Sequence, residues 1–350
     1  MSRRVLILAH TGREESLKAA WEACALLHES GLVPVLQENE LGDMVRFFGR
    51  LDHPVEVLHD HVKLPEVELV MVLGGDGTIL RAAELVREVD VPLLGVNLGH
   101  VGFLAESERA DLAQTVEWIA SRDYTVEERM TIDVQVWVRG QKIWHTWALN
   151  EAAIEKANRE RMLEVVTEVD ERPLTSFGCD GVVLATPTGS TAYAFSAGGP
   201  VVWPEVEALL IVPISAHALF AKPLVVSPRS RLAVEILNRT DAQGVLWCDG
   251  RRSVDLPPGA RVEVTRSATP VRLARTHQTP FSGRLVRKFQ LPIQGWRGPM
   301  PQAKAIHTGP IPIIRTPRPM PPLPSPHDAG PDDAGPGDGP DPSPDPSTGK

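Results

Sequence analysis

Residues Gly74-Gly75-Asp76-Gly77-Thr78 combine features that suit phosphate chemistry. They follow a continuous apolar run, Leu69 to Leu73, and open a helical pattern that extends from Thr78 to Glu88. Glycines let a backbone approach a ligand closely and adopt conformations closed to other residues. Amides exposed where a helix begins, aided by its dipole, suit phosphate oxygens. A carboxylate in such an anion-binding turn is out of place unless it serves chemistry. Asp76 can accept a proton from an attacking hydroxyl or help to position Mg²⁺. The local alternative is a tight strand-to-helix turn in which Asp76 or Thr78 caps the helix. No Gly-Lys-Ser/Thr follows, so the turn is not a P-loop, and it lacks Gly-x-Gly-x-x-Gly spacing. Arg81 lies one helical turn beyond Gly77 on the same face, where it can reach phosphates or pair with Glu84 or Glu88.

A second constellation is longer and more particular. From Asp180-Gly181 an apolar strand runs into Thr186-Pro-Thr-Gly-Ser-Thr191-Ala192-Tyr193-Ala-Phe-Ser196 and then Ala-Gly-Gly-Pro200. Small residues allow a flat aromatic ligand to lie against backbone, while hydroxyls and amides hydrogen-bond its polar edge. A loop between strands, with Tyr193 merely packed, is the bland counterpart. Asn150-Glu151 reads from its own residues as a polar pair at a strand edge, with a simple turn the favoured reading. Arg161, in an Arg-Glu-Arg stretch, reads as a solvated charge.

The elements that must position these residues change character along the chain. Val5–Ala9, Val33–Leu36, Leu69–Leu73 and Pro92–Val96 are apolar runs of strand length, alternating with helical spacing over 14–29, 78–88 and 111–122. Pro34 favours an edge position or a strand start for the second run. This alternation implies a mostly parallel sheet covered by helices, with ligands beyond the strands' carboxyl ends. From Tyr124 to about Thr276 short period-2 segments such as 132–138, 232–237 and 261–265 predict an all-β region. The expected organisation is an α/β domain over 1–123, an all-β ligand-binding domain over 124–280, and a short segment, 281–297, packing back on the body. About half of the 32 prolines fall beyond Arg297, so 298–350 is expected to be a disordered Pro/Asp-rich tail.

A chain of 350 residues with 42% hydrophobic and 23% charged residues suits two globular domains. The formal net charge of −9 gives no argument for a nucleic-acid or membrane partner. Three scattered cysteines supply neither a disulfide framework nor a structural zinc site, and they fit a reduced, cytoplasmic setting. The opening apolar run stops at Ala9, too early for a signal peptide.

With both constellations in view, residues 1–297 resemble the NAD kinase family. The resemblance rests on Gly74 to Thr78, Leu94-Gly-Val-Asn-Leu-Gly-His-Val-Gly-Phe-Leu104, Leu149-Asn-Glu151, Asp180-Gly181, Thr186 to Tyr193 and Cys248-Asp249-Gly250. The ending Leu285-Val-Arg-Lys-Phe and Gly295-Trp296-Arg297 looks actinobacterial. A similar glycine-aspartate turn also occurs in diacylglycerol and sphingosine kinases and in phosphofructokinases, so the turn alone says only phosphoryl transfer. The resemblance implies transfer of a phosphoryl group from ATP or polyphosphate, with Mg²⁺, to the adenosine-ribose 2′-hydroxyl of NAD. It implies Asp76 as general base beside Gly77, and adenosine contacts from Asn150 and Glu151. Asp180 would touch the dinucleotide, in some members across a subunit interface. Thr191, Ala192, Tyr193 and Ser196 would line the adenine and ribose pocket, with Arg161 near the phosphates and Ser215 in the pocket. His217 matches a family histidine. Gly178 and Arg251 depart from the usual basic residue and Gln at their positions. The family implies a homodimer or homotetramer, and no dedicated metal ligands. Rival readings are a lipid kinase, which would want an apolar cleft or basic membrane-facing surface, and a nucleotide sensor without turnover.

The composition of the tail generates a first prediction. Ending the chain near Gly298 leaves melting temperature and turnover almost unchanged, because the segment lacks a core-forming pattern. Large losses of both would show that it docks.

Overall fold

In the computed structural model, described over residues 2–10, 13–99, 102–239, 241–276 and 280–293, the N-terminal alternation builds one twisted sheet. Strands β1 (Arg4–Ala9), β2 (Val33–Leu36), β3 (Glu56–Val57), β4 (Leu69–Leu73) and β5 (Leu93–Asn97) run parallel in the order β3-β2-β1-β4-β5, and the short β6 (Ser107–Glu108) pairs with β5. Helices α1 (Glu14–Glu29), α2 (Glu38–Phe48) and α3 (Asp76–Leu85) fill the crossovers, and α4 (Leu112–Ser121) follows β6. The period of two in β1 assigns its side chains to two layers. Val5, Ile7 and Ala9 pack with Leu17 and Cys24 of α1 and Val116 of α4, whereas Leu6 and Leu8 pack with Ile79 and Ala82 of α3. Both faces are covered, which is why these strands read as unbroken apolar runs. Pro34 sits at the start of β2, and β3 pairs beyond it, at Val35 and Leu36.

The remaining strands are β7 (Thr125–Arg129), β8 (Ile132–Val138), β9 (Gln141–Ala148), β10 (Glu151–Lys156), β11 (Leu163–Val169), β12 (Arg172–Cys179) and β13 (Gly181–Ala185). They continue as β14 (Leu209–Ile214), β15 (Leu224–Val226), β16 (Leu232–Ile236), β17 (Gly244–Cys248), β18 (Arg252–Leu256), β19 (Ala260–Arg266) and β20 (Val271–Arg275). Two six-stranded antiparallel sheets result, ordered β15-β14-β13-β10-β17-β18 and β12-β11-β16-β19-β8-β9. Ile132, Val134, Val165, Val182, Leu184, Leu246 and Val262 close one core between them. The chain passes from one sheet to the other at Asp180, between β12 and β13.

Two strands from the β-rich stretch belong to the first sheet. β20 pairs parallel with β5 and antiparallel with β7, extending the α/β sheet at its far edge. The sequence reading places 125–129 and 271–275 with the all-β region, since pairing across about 145 residues leaves no local trace. A short α5 (Tyr193–Ser196) and the closing α6 (Phe281–Phe289) complete the fold. The expected disordered segment 298–350 lies outside the described residues, as do 294–297 and His100-Val101. Among the described residues no helix is long and apolar enough to cross a membrane, and Cys24, Cys179 and Cys248 are free and buried.

Candidate active site

β4 delivers the glycine turn to the carboxyl edge of the sheet, where the Gly74 N–H donates to Val96 O of β5. Helix α3 begins at Asp76 with Gly75 as its cap residue and no side-chain cap bond. Neither Asp76 nor Thr78 therefore plays the capping role that the turn's sequence allows. The sequence reading also aims Asp76 into the anion-binding turn; the structure directs its carboxylate to the next loop. Asp76 Oδ2 accepts the Phe103 N–H at 3.0 Å and Oδ1 accepts the Leu104 N–H at 3.1 Å. Gly102 lies so close that a β-carbon there would collide with this carboxylate. The two amides fix the orientation of a group that would otherwise rotate freely.

Beside the turn lies a cleft of about 470 Å³ lined by Gly74, Gly75, Gly77, Thr78, Arg81 and Arg251, with His10, Arg13 and Asn97 at its margins. Arg81 pairs with neither Glu84 nor Glu88. Its Nη2 donates to Glu40 Oε1 at 2.9 Å and to Ala9 O at 3.2 Å, so the side chain reaches across the end of β1. Glu40, on α2, is buried, and its Oε1 also accepts the Ala9 N–H, while Oε2 has no hydrogen-bond partner. Burial pushes the Glu40 carboxyl up to about 7 against the opposing pull of the Ala9 amide and Arg81. Glu84 instead takes Arg251 at 3.0 Å and Arg252 at 3.1 Å, which fastens α3 to the β17–β18 turn.

Asn150 and Glu151, both buried, form the corner between β9 and β10. Asp249 holds this corner from one side: its carboxylate accepts the N–H groups of Leu149 (3.0 Å), Asn150 (2.7 Å) and Glu151 (3.4 Å). Thr186 holds it from the other, donating its N–H to Asn150 O and its hydroxyl to Leu149 O. Gly189 packs so tightly on Asn150 O that a β-carbon would force the backbone apart. Glu151 is pushed up to about 8 by burial, with the Asp249 charge adding to this and the Tyr193 N–H opposing it. The shift favours the protonated form, which can donate a hydrogen bond.

The 186–196 run folds as a tight turn over Gly189–Thr191 and then α5, seated on the outer face of β10 and β13 through Ala153, Val183, Ala185 and Ala194. The Tyr193 N–H thereby meets the Glu151 carboxyl, with Thr191, Ala192 and Ser196 flanking it along the same segment. The Tyr193 hydroxyl donates to Glu155 Oε1 at 2.5 Å, and burial with this carboxylate pushes the phenol up to about 12. Asp180 pairs with Lys156 at 2.5 Å, which holds its carboxyl below the usual range, and it also takes a hydrogen bond from Ser215. Ser215 is held with φ 48°, in the left-handed region. Arg161 stands apart in a different depression with Gly178 and His217, 3.9 Å from exposed Asp241. There the Gly178 carbonyl accepts the His217 N–H.

Sequence reasoning missed Glu40, Asp249, Arg252 and the Phe103-Leu104 amides as parts of this site. Asp249 and the 102–104 loop belong to motifs noted above, yet their function is to hold other residues, which no motif reveals. Among the described residues no cluster of three or more His, Cys, Asp or Glu side chains is gathered as a metal cage.

The raised Glu40 acid makes a pH prediction. Between about pH 4.5 and 7 the unfolded chain releases this proton while the folded one keeps it, so stability falls as pH rises through that window and levels off above it. The difference is on the order of 3 kcal/mol. Glu40→Gln removes this term, so the variant gains on the wild type in urea melts from pH 5 to 7.5. A gap that stays constant with pH would refute the assignment.

The family model described as the ATP-NAD kinase N-terminal domain matches residues 5–124, and that of the C-terminal domain matches 149–276. An NAD kinase of Leifsonia xyli is 62% identical over 297 residues, covering 85% of this chain and 97% of the relative. One from Thermobifida fusca is 59% identical, covering 85% and 92%. An Archaeoglobus fulgidus NAD kinase solved in complex with ATP superposes with a TM-score of 0.62 at 25% identity, covering 83% of this chain and all of that one. Yeast NADH kinase shares the fold, with a TM-score of 0.75 at 24% identity over 84% of this chain and 89% of that one. With an α/β layer and a β sandwich meeting at the glycine turn and family models over both, the chain belongs to the NAD kinases.

Proposed function

We propose that the chain transfers the terminal phosphoryl group of ATP to the 2′-hydroxyl of the adenosine ribose of NAD, with Asp76 as general base. The observation that carries this reading is the Asp76 carboxylate, locked by two backbone amides beside a glycine turn that opens a helix. The ribose oxygen attacks the γ-phosphorus, the bond to the bridging oxygen breaks, ADP leaves, and the ribose proton passes to Asp76. Little covalent work falls to the protein, so positioning and charge stabilisation supply most of the acceleration. Gly74, Gly75, Gly77 and Thr78 line the cleft at the start of α3, a setting that suits the phosphates, with Arg81 as the adjacent cation. The ATP complex of the Archaeoglobus relative supports ATP as donor; polyphosphate would use the same cradle.

Asn150 and Glu151 bind the adenosine, beside Thr191, Ala192, Tyr193 and Ser196. Asp180 and Ser215 reach the dinucleotide from the strand edge, while Arg161, in its separate depression, would meet the phosphates only from another copy in an oligomer. Magnesium would arrive on the donor phosphates at the glycine turn and would neutralise their charge there, leaving Asp76 to take the ribose proton. A homodimer or homotetramer fits the exposed Asp180 cluster and the exposed apolar Leu174, Leu219 and Phe220.

Replacing Asp76 with Asn keeps shape and removes proton acceptance. The expected loss in kcat is roughly 10²- to 10⁴-fold, with KM for NAD changed far less, in a coupled NADP-formation assay. Turnover near the wild type, or full rescue by added magnesium, would sink the general-base role.

A further inference from the structure

The loop that holds Asp76 is itself held from behind. Its Phe103–Leu104 peptide unit presents the Leu104 N–H to Asp76 Oδ1 at 3.1 Å, and on its opposite side the Phe103 carbonyl accepts Arg284 Nη1 at 2.9 Å. One peptide plane thus lies between a carboxylate and a guanidinium. The guanidinium is buried, and its Nη2 donates to Glu106 Oε2 at 2.6 Å, a carboxylate with no exposed side-chain surface. Arg275 completes the frame: it donates to the same Glu106 oxygen at 2.9 Å and to Leu104 O at 3.0 Å. Consecutive carbonyls of the loop are therefore pinned by two arginines that share one acid.

Helix α6 carries Arg284 and ties this loop to the second constellation. Phe103 packs against Phe281 and Phe289 at 5.8 Å each, and Phe289 stacks on Phe195 of α5 at 4.4 Å. Phe281 also meets Trp203 edge-on at 5.1 Å. A helix that only covered the core would not bury a guanidinium against a loop carbonyl. Burying it without full pairing is costly, and here both of its terminal nitrogens are bonded.

We infer that Arg284 is a positioning residue for phosphoryl transfer: through the Phe103–Leu104 peptide it holds, and polarises, the amide that orients Asp76. The inference rests on Asp76 acting as the base. A cation at the carbonyl strengthens donation by the N–H of the same peptide, since hydrogen bonds in series reinforce one another. Without it the Phe103 carbonyl loses its anchor, the peptide plane is held less firmly, and the alignment of Asp76 with the ribose hydroxyl loosens. Displacements of about 1 Å at a reacting group can cost about 10²-fold.

The test is a double-mutant cycle on the full-length protein, with folding checked by thermal melts. Arg284→Met is expected to lower kcat about 10- to 100-fold, with KM for NAD and ATP within about threefold, and Arg284→Lys to recover part of the loss. In an Asp76→Asn background the same substitution should cost almost nothing more, because the group it positions no longer takes the proton. Equal losses in both backgrounds, or a rise in KM with kcat intact, would overturn the inference while leaving Asp76 as base. High turnover by Asp76→Asn alone would overturn the base assignment itself. Should the Met variant fail to fold, Arg284→Lys carries the same cycle, since it keeps the charge facing Glu106 but lacks the fork that spans two acceptors.

Discussion

The architecture turns on a buried carboxylate. Asp249 sits in the turn after β17 with a left-handed backbone, φ 54°, and accepts three consecutive amides at the β9–β10 corner. Burial works against its charge, and these amides together with Arg252 at 2.8 Å offset that cost. Arg252 in turn reaches Glu84 of α3, and its guanidinium lies 4.7 Å from the Trp147 ring centroid, with Arg87, in the turn after α3, at 4.2 Å from the same ring. The helix that starts at the glycine turn is thereby tied to the strand corner that presents Asn150 and Glu151. Losing Asp249 would strand three amides and an arginine together, an outcome far more costly than the loss of an exposed ion pair.

Close approach imposes a second constraint. At Gly102 and Gly189 backbone passes where no β-carbon fits, against the Asp76 carboxylate and the Asn150 carbonyl respectively. Both contacts lie where one constellation meets its support. Precision in the site therefore comes from backbone packed closely on backbone or on a carboxylate, with side-chain carboxylates used as fasteners more often than as reactants.

Much of this was legible in the sequence, for reasons that can be traced. The runs of β1 and β4, buried on both faces, announce themselves because a covered parallel strand tolerates no polar residue. The glycine turn is visible because its requirements are local, and β8 because its alternation matches one buried face. What escaped is long-range. Nothing in 125–129 or 271–275 states that they complete the α/β sheet, and nothing near Arg81 names Glu40, 41 residues earlier, as its partner. The positions of Asp249 and Arg284 were visible within familiar stretches, but their tasks are defined by atoms on other elements. Arg161 shows the converse, since a residue marked by type and place lies in a separate depression within this single chain.

The three thiols give the molecule a use beyond its chemistry. Cys24 lies in the α/β layer against β1, while Cys179 and Cys248 lie inside the sandwich. Burial raises the thiols of Cys24 and Cys179 to about 12 and that of Cys248 likewise upward, so none offers a thiolate to an alkylating reagent near neutral pH. Modification must await opening of the layer that encloses each one. Site-resolved alkylation therefore clocks the two halves separately, and a nucleotide that bridges them would slow both clocks together.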